Sequence, residues 1–219
     1  MKLLTTYIIA LTNLYGIAPK KIVLEAYNAQ NTEQVTKEAL EKEIRDSAET
    51  LENHFVVSME ESFVNDSLLM LESDIPELLA EKGDKPYYVP EKTELLRYQD
   101  DFYFEKTAAY QAFCTYMEES FPGDEASARE VSEEIYDTIH LEGTITSLFS
   151  DLELMGVRLE TKAEVLHVYN LALDMFYQTR LWQHNGHTLI EIAQIQNETI
   201  ENLYPHSLAI GIQEYDETE

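Results

Sequence analysis

The sequence predicts a mostly α-helical protein, and three observations lead to that prediction. Glycine and proline are scarce, with 7 and 6 copies among 219 residues, so few positions interrupt a helix. Apolar residues recur at steps of three and four along most of the chain, which is the spacing of one helix face. The apolar fraction of 44% is enough to bury a core and excludes a wholly disordered acidic chain.

The first part of the chain is predicted to contain three helices. One helix covers residues 2–15 and ends at Gly16, because glycine is favoured just past a helix C-terminus. The second has Pro19 in its first turn, where the missing proline N–H is no loss. The third is predicted to begin at Thr32, whose hydroxyl suits a helix N-cap.

A change of sequence period follows these helices. Residues 54–59 and 62–65 are short runs of β-branched and aromatic side chains, with Glu60 and Glu61 between them, and such a pair of runs is typical of a β-hairpin. Three helices followed by a hairpin is the element order of a winged-helix domain. Residues 1–66 are therefore predicted to be a winged-helix-like domain, a kind of fold that binds proteins as well as DNA.

The rest of the chain is predicted to be a connector and a bundle. Residues 67–105 mix short helical and extended segments, and their aromatic content indicates a connector that packs against the rest of the protein. Residues 106–219 are predicted to form a helical bundle domain, in which two helices begin at capping boxes. The predicted helices are residues 106–121, 125–141, 144–155, 161–183 (capping box Thr161 and Glu164) and 188–203 (capping box Thr188 and Glu191).

The charge of the chain limits its partners. Its 42 acidic and 15 basic residues give a net charge of −27, which repels phosphate and anionic lipid. We therefore expect a basic protein partner, and neither a membrane nor a nucleic acid in direct contact. No apolar run approaches the roughly 18 residues of a membrane span. The single cysteine, Cys114, excludes an intramolecular disulfide framework, so we expect a cytoplasmic, reducing location.

The leading hypothesis is a non-enzymatic interaction or regulatory protein whose acidic surface engages a basic protein partner. A sharper version is nucleic-acid mimicry, in which carboxylates take the place of phosphates on a nucleic-acid-binding partner. No catalytic, cofactor-binding or metal-binding residue is predicted. The candidate interaction residues are Glu38, Glu41, Glu60, Glu61, Tyr87, Tyr88, Arg180 and Trp182.

The first alternative is a winged-helix DNA-binding transcription regulator that reads a groove with residues 33–46. This segment has five acidic residues against three basic ones, and the hairpin tip adds two glutamates. A groove-reading helix and wing normally supply positive charge to phosphates, so the charge opposes this alternative. It requires five basic residues to cluster in space, namely Lys20, Lys21, Lys37, Lys42 and Arg45.

The second alternative is a metal-dependent enzyme centred on His184, His187 and Glu191. Two imidazoles and a carboxylate are ligand types that zinc accepts, but a zinc site needs three or four convergent ligands. A turn at Gly186 separates the two histidines, so the simpler interpretation is a helix-connecting turn with exposed histidines. The sequence contains no glycine-rich phosphate loop, nucleophile elbow or HExxH helix.

The remaining candidate interaction residues are two tyrosines, one arginine and one tryptophan, and the aromatic ones have two interpretations each. Tyr87 and Tyr88 are either interface residues, since tyrosine is enriched at interfaces, or rings that pack the connector onto its neighbours. Arg180 and Trp182 are predicted in the last turn of the long helix, where a cation suits the helix dipole. Trp182, the single tryptophan, is interpreted first as an anchor of the following turn and second as a binding hot spot.

Four stretches spread over most of the chain also suggest a family. They are LYGIAPK at residues 14–20, YNAQN at 27–31, KPYYVP at 85–90 and TRLWQHNGHT at 179–188. Together they resemble uncharacterised bacterial cytoplasmic proteins with a helical fold, many of which end in a zinc-binding SEC-C motif associated with docking to other macromolecules. This sequence lacks the SEC-C cysteines, and Leu189 stands where the family has a proline. The resemblance therefore implies a fold, but neither zinc binding nor an activity.

Overall fold

The computed structural model describes residues 2–70, 74–121 and 125–204. The chain forms two compact units. The first contains Met1–Phe104 and Trp182–His187, and the second contains Glu105–Leu181 and Thr188–Glu219. The structure is mostly helical with a small three-stranded antiparallel sheet, which confirms the predicted fold class at this level.

The described ranges contain twelve α-helices, three strands and three short 3₁₀ turns. The helices are α1 Leu3–Tyr15, α2 Lys20–Gln30, α3 Lys37–Asp46, α4 Ala48–Asn53, α5 Asp74–Lys82, α6 Lys92–Leu95, α7 Ala108–Ser120, α8 Glu125–Glu142, α9 Leu148–Leu154, α10 Lys162–Gln178, α11 Leu189–Gln196 and α12 Ile200–Leu203. The strands are β1 Ile17–Pro19, β2 Val56–Ser58 and β3 Ser62–Asn65. The 3₁₀ turns are Asp66–Leu69, Leu96–Gln99 and Trp182–His184.

The sheet of the first unit confirms the predicted hairpin and adds a strand. β2 and β3 are antiparallel, with Val57 opposite Val64, and β3 also pairs with β1, where Ile17 lies opposite Val64. The sheet order is therefore β1-β3-β2. The prediction that Pro19 belongs to the first turn of α2 is wrong, because Pro19 ends β1 and α2 begins at Lys20. Proline is tolerated at the end of an edge strand because its missing N–H removes no inner ladder bond.

The first helix is the centre of the first unit. α2, α3 and the turn Leu96–Gln99 all contact α1, so its side chains are buried around the helix rather than along one stripe. Polar residues are enclosed as well, and Thr12 satisfies its hydroxyl by donating from Oγ1 to the Ile8 carbonyl oxygen at 2.8 Å. The predicted helix is confirmed, and it is a central helix that is buried on most of its faces.

The third helix begins later than predicted. Thr36, rather than Thr32, is the N-cap of α3, and its hydroxyl accepts a backbone N–H of the first helical turn at 3.3 Å. The Asn28 side chain explains the delay because it binds Val35 in both directions. Its Nδ2 donates to the Val35 carbonyl at 3.0 Å, and its Oδ1 accepts from the Val35 N–H at 2.7 Å. These bonds hold the chain between α2 and α3 as a turn.

The second unit is helical throughout its described part. α7 contacts α8 and α10, and buried side chains such as Phe113, Ile135, Val168 and Phe176 form its interior. Both predicted capping boxes are present at the starts of α10 and α11. No described helix in either unit is long and apolar enough to cross a membrane.

Two helices of the second unit end well before their predicted C-termini. α10 ends at Gln178, because Thr179 leaves the helix and donates from Oγ1 to the Met175 carbonyl at 2.8 Å. α11 ends at Gln196, because Asn197 adopts a left-handed backbone conformation with φ 54°. Asparagine is one of the few residue types that tolerate this conformation, so the predicted helix to residue 203 becomes α11 and α12.

Candidate interaction surface

The four predicted glutamates lie on neighbouring elements of the first unit. Glu38 and Glu41 are on α3, and Glu60 and Glu61 form the tip of the β2–β3 hairpin. Lys37 at the start of α3 joins the two elements, since its Nζ lies 3.8 Å from Glu61 Oε1. We call these four glutamates the α3–hairpin surface.

A buried lysine binds both elements of this surface. Lys20 is 6% exposed, its Nζ donates to Glu41 Oε1 at 3.0 Å, and its backbone N–H donates to the Glu61 carbonyl at 2.9 Å. The amine also lies 5.7 Å from the ring centroid of Phe63, a distance at which a cation is attracted to an aromatic face. Lys20 therefore ties the start of α2 to α3 and to the hairpin.

Three lysines line a groove of about 640 Å³ beside this surface. Lys20, Lys21 and Lys37 are three of the five basic residues that the DNA-binding alternative requires, whereas Lys42 and Arg45 do not line the groove. Each of the three lysines is already paired with a carboxylate. The pairs are Lys20 with Glu41 (3.0 Å), Lys21 with Glu25 (3.7 Å) and Lys37 with Glu61 (3.8 Å).

A buried carboxylate fixes α3 against α1. Glu43 accepts hydrogen bonds from Lys2 Nζ at 2.7 Å, Thr5 Oγ1 at 2.6 Å and Ser47 Oγ at 2.9 Å. Burial alone raises the pKa of Glu43, but the hydrogen bonds from Lys2, Thr5 and Ser47 outweigh burial and leave the pKa below its ordinary value. The position of α3, and with it the α3–hairpin surface, is therefore set by a charged contact to the central helix.

The single tryptophan belongs to the interior of the first unit. Trp182 is 4% exposed, and its indole N–H donates to the Asn13 carbonyl at 2.9 Å. Its ring lies against Gly16, where a Cβ atom would come within 2.5 Å of it and where φ is +68°. Only glycine suits that position, so Gly16 and Trp182 form a matched pair. These contacts make Trp182 an anchor of the turn that follows α10.

Arg180 lies in the second unit and is also buried, at 8% exposure. Its guanidinium donates to Glu105 Oε1 at 2.6 Å and to Glu191 Oε2 at 3.0 Å. Its backbone forms an isolated antiparallel bridge with Thr188. The prediction of a helix-end arginine is wrong because α10 stops at Gln178, and Arg180 instead closes the loop through these two carboxylates.

The segment Trp182–His187 surrounds a buried amine that the sequence did not single out. Lys82, at the end of α5, is 2% exposed, and its Nζ donates to Asn185 Oδ1 at 2.9 Å. The same amine lies 5.9 Å from the ring centroids of both Tyr15 and Tyr87. Burial, reinforced by the nearby charge of Lys85, lowers the pKa of Lys82 to about 7.

The backbone around Asn185 holds the predicted tyrosines in place. Asn185 donates from Nδ2 to the Lys85 carbonyl at 2.7 Å and accepts the Tyr88 N–H at 3.0 Å. Tyr88 in turn accepts the Tyr15 hydroxyl at its carbonyl oxygen, at 2.6 Å. Tyr87 and Tyr88 are half-buried and pack against the core of the first unit. The contacts given above for Tyr87 and Tyr88 therefore involve none of the four glutamates of the α3–hairpin surface.

The two histidines of the turn are buried, so the expectation of exposed histidines is wrong. His184 is 3% exposed and His187 is 9% exposed, with the His187 ring 5.4 Å from the Tyr88 ring. Burial, together with the charges of Lys85, His187 and Lys82, lowers the pKa of His184 to about 3. Glu191 caps α11, and the described residues contain no group of three or more His, Cys, Asp or Glu side chains that could hold a metal ion.

The chain matches no protein-family model, no curated protein and no solved structure. The geometry of the α3–hairpin surface indicates its chemistry. That geometry offers exposed carboxylates, lysines that already have acidic partners, and an open groove between α2, α3 and the hairpin. Such an arrangement suits binding of a cationic partner better than binding of an anion.

Proposed function

We propose that the first unit is a non-enzymatic interaction module that binds a basic protein partner through the α3–hairpin surface. One observation supports this most directly: the lysines of the adjoining groove are each paired with a carboxylate, while Glu38 and Glu60 remain exposed in excess. Hydrogen bonds from its own backbone N–H and from Thr36 lower the pKa of Glu38, so this carboxylate keeps its negative charge further into the acid range than an ordinary glutamate.

We further propose a winged-helix arrangement for residues 2–65. The order α1-β1-α2-α3-α4-β2-β3, in which the short helix α4 comes between α3 and the hairpin, and the sheet order β1-β3-β2 support it. In this arrangement α3 takes the place of a groove-reading helix and the hairpin that of the wing. Carboxylates at both places support the nucleic-acid-mimicry version, in which the partner is a protein whose basic surface otherwise binds phosphates.

The existing ion pairs do not prevent this binding. Exposed pairs such as Lys37 with Glu61 contribute about 0–1 kcal/mol, so a partner's arginine or lysine can replace Lys37 at little cost. The net charge of −27 also attracts a cationic partner from a distance, which raises the association rate at low salt.

The test is affinity capture at low salt from a lysate of the cells that produce the protein, with two double variants that change the net charge equally. Glu38→Lys with Glu60→Lys leaves the α3–hairpin surface with two negative and two positive charges. Glu119→Lys with Glu130→Lys makes the same change of net charge on exposed positions of the second unit. We expect the first variant to lose basic partners that the second retains. Equal retention by both variants would show that net charge, and not this surface, attracts the partner.

Direct DNA binding is a second candidate, because Lys20, Lys21 and Lys37 do line one groove. A polyanion would have to displace Glu25, Glu41 and Glu61 from these amines. Gel shifts with random-sequence duplex at low salt test this candidate. A shift that Lys21→Gln and Lys37→Gln abolish supports DNA binding, and the absence of any shift eliminates it.

A further inference from the structure

A second groove of about 290 Å³ lies near the C-terminal end of α3 in the first unit. Unlike the lysine groove, it is lined mainly by apolar side chains from α3, α4 and β2. Phe55 projects into it from the residue before β2 and remains 46% exposed. The lining residues are Ile44, Ala48, Leu51, Glu52, Phe55, Val56, Val57, Ser58 and Asp66.

Phe55 is held in an unfavourable backbone conformation. Its φ is +57°, in the left-handed region that bulky residues rarely adopt. Two backbone hydrogen bonds maintain it: the Phe55 N–H donates to the Glu52 carbonyl at 3.1 Å, and the Asp66 N–H donates to the Phe55 carbonyl at 2.8 Å. Glycine or asparagine would meet this geometry more easily, and the aromatic ring is not buried in return.

The charge around this groove has a single sign. Glu52 and Asp66 are exposed at its rim, and no lysine or arginine is among its lining residues. Ile44 lies three residues after Glu41 on α3, so the two residues share a helix face and the groove continues the α3–hairpin surface. An occupant must therefore bring an apolar side chain and positive charge together.

We propose that this groove binds an apolar side chain from a lysine- or arginine-rich segment of the partner, which packs on the Phe55 ring between Glu52 and Asp66. The inference depends on the proposed function, because it says where an apolar side chain of that same basic partner binds. The acidic surface then supplies electrostatic attraction, and the groove supplies selection among basic segments.

Phe55→Asn separates binding from folding, because asparagine tolerates positive φ and should leave the protein folded. The probes are a short arginine-rich peptide with one central leucine and the same peptide with serine at that position, measured by fluorescence anisotropy at low salt. We expect the wild type to bind the leucine peptide about tenfold more tightly, the effect of burying one such side chain. Phe55→Asn should remove this preference and keep the weaker binding of the serine peptide.

Phe102→Asn is the matched control, since Phe102 is 86% exposed in the same unit and does not line the groove. It should retain the tenfold preference. Equal affinity of the wild type for both peptides would overturn the groove assignment while leaving the proposed function intact. No binding of either peptide would instead contradict the proposed function. If Phe55→Asn changes the oligomeric state in sedimentation, a second copy occupies the groove and the inference is wrong.

Discussion

Two regions of the first unit each bury a lysine, and they compensate the cost of burying its positive charge in different ways. Lys20 is 6% exposed and donates to the carboxylate of Glu41, so its charge is compensated by an opposite charge. Lys82 is 2% exposed and donates to the amide oxygen of Asn185, which has a dipole but no charge. Both amines also lie near aromatic rings, at 5.7 Å for Lys20 and 5.9 Å for Lys82. The partner, and not the burial, distinguishes the two regions.

The difference in partner corresponds to a difference in location, because Lys20 lies beside a surface groove and Lys82 lies in the interior of the first unit. The Lys20–Glu41 pair joins α2 to α3 beside an open groove that Lys20 lines, and the Glu41 side chain is 36% exposed, so a partner can compete for its carboxylate. The Lys82 amine is enclosed by Tyr15, Tyr87 and the Trp182–His187 segment, where no partner can reach it. We therefore expect Lys20 to respond to ligands and salt, and Lys82 to respond to pH.

The largest expected effect is a rise in stability with pH that originates at Lys82. Its pKa is about 7 in the folded protein and 10.5 in the unfolded chain, so between these values the unfolded chain binds more protons. The free energy of unfolding should then increase by up to about 1.4 kcal/mol per pH unit, or about 3 kcal/mol from pH 7 to 9.5. Urea unfolding at several pH values measures it.

The control for this pH series is Lys82→Met, whose stability should show only the smaller rise that comes from Lys85, the pKa of which burial also lowers. The raised pKa of Tyr87, caused by its burial, acts in the opposite sense only near and above pH 10. The series therefore stops below that value. A parallel rise in both proteins would assign the effect to other groups and break the contrast with Lys20.

A smaller effect should appear at constant pH. Lys82→Met removes a buried charge at pH 7 and leaves the Asn185 oxygen without its donor, two changes of opposite sign. Because the loss of the charge outweighs the lost hydrogen bond, we expect stabilisation by about 2 kcal/mol. Thermal and urea unfolding at pH 7 measure it. Destabilisation of this variant would mean that the amine is better compensated than its neutral partner indicates.

Glu41→Gln should make Lys20 resemble Lys82. It replaces the carboxylate by an amide and leaves a buried amine with a neutral partner, so we expect a loss of about 1–2 kcal/mol at pH 7. In urea unfolding at several pH values, the stability of the variant should also rise more steeply with pH than that of the wild type. Glu25→Gln, next to exposed Lys21, is the matched control and should change little. An unchanged pH profile in Glu41→Gln would show that Glu41 does not compensate Lys20.

Local patterns in the sequence predicted much of the fold, because they report local physics. The hairpin was predictable because the spacing of apolar residues changes after the third helix. The capping boxes at Thr161 and Thr188 were predictable because each consists of two residues three positions apart. Trp182 could not be placed in the same way. Its indole meets Asn13, which is 169 positions earlier in the chain, and no local pattern records that contact.

The candidate sites were predictable to a lesser degree for the same reason. The acidic residues of α3 and of the hairpin tip can be counted in the sequence, so the sequence predicts the four glutamates of the α3–hairpin surface as candidates. Lys82 is one lysine at the end of a short helix, and its burial depends on Asn185, far along the chain. The left-handed conformation of Phe55 was missed because phenylalanine does not favour it, so the residue type gave no signal.

The smallest expected effect belongs to the exposed pair at the mouth of the lysine groove. Lys37 and Glu61 are 63% and 78% exposed in their side chains and 3.8 Å apart, so solvent and salt screen most of their attraction. Glu61→Gln should therefore change stability by less than about 0.5 kcal/mol, measured by urea unfolding at low and high salt. Because the pair contributes so little to folding, a basic partner can bind Glu61 at little cost, whereas it must compete with buried Lys20 for the Glu41 carboxylate. A loss of more than about 1 kcal/mol would instead make Glu61 structural, and would narrow the free part of the surface to Glu38 and Glu60.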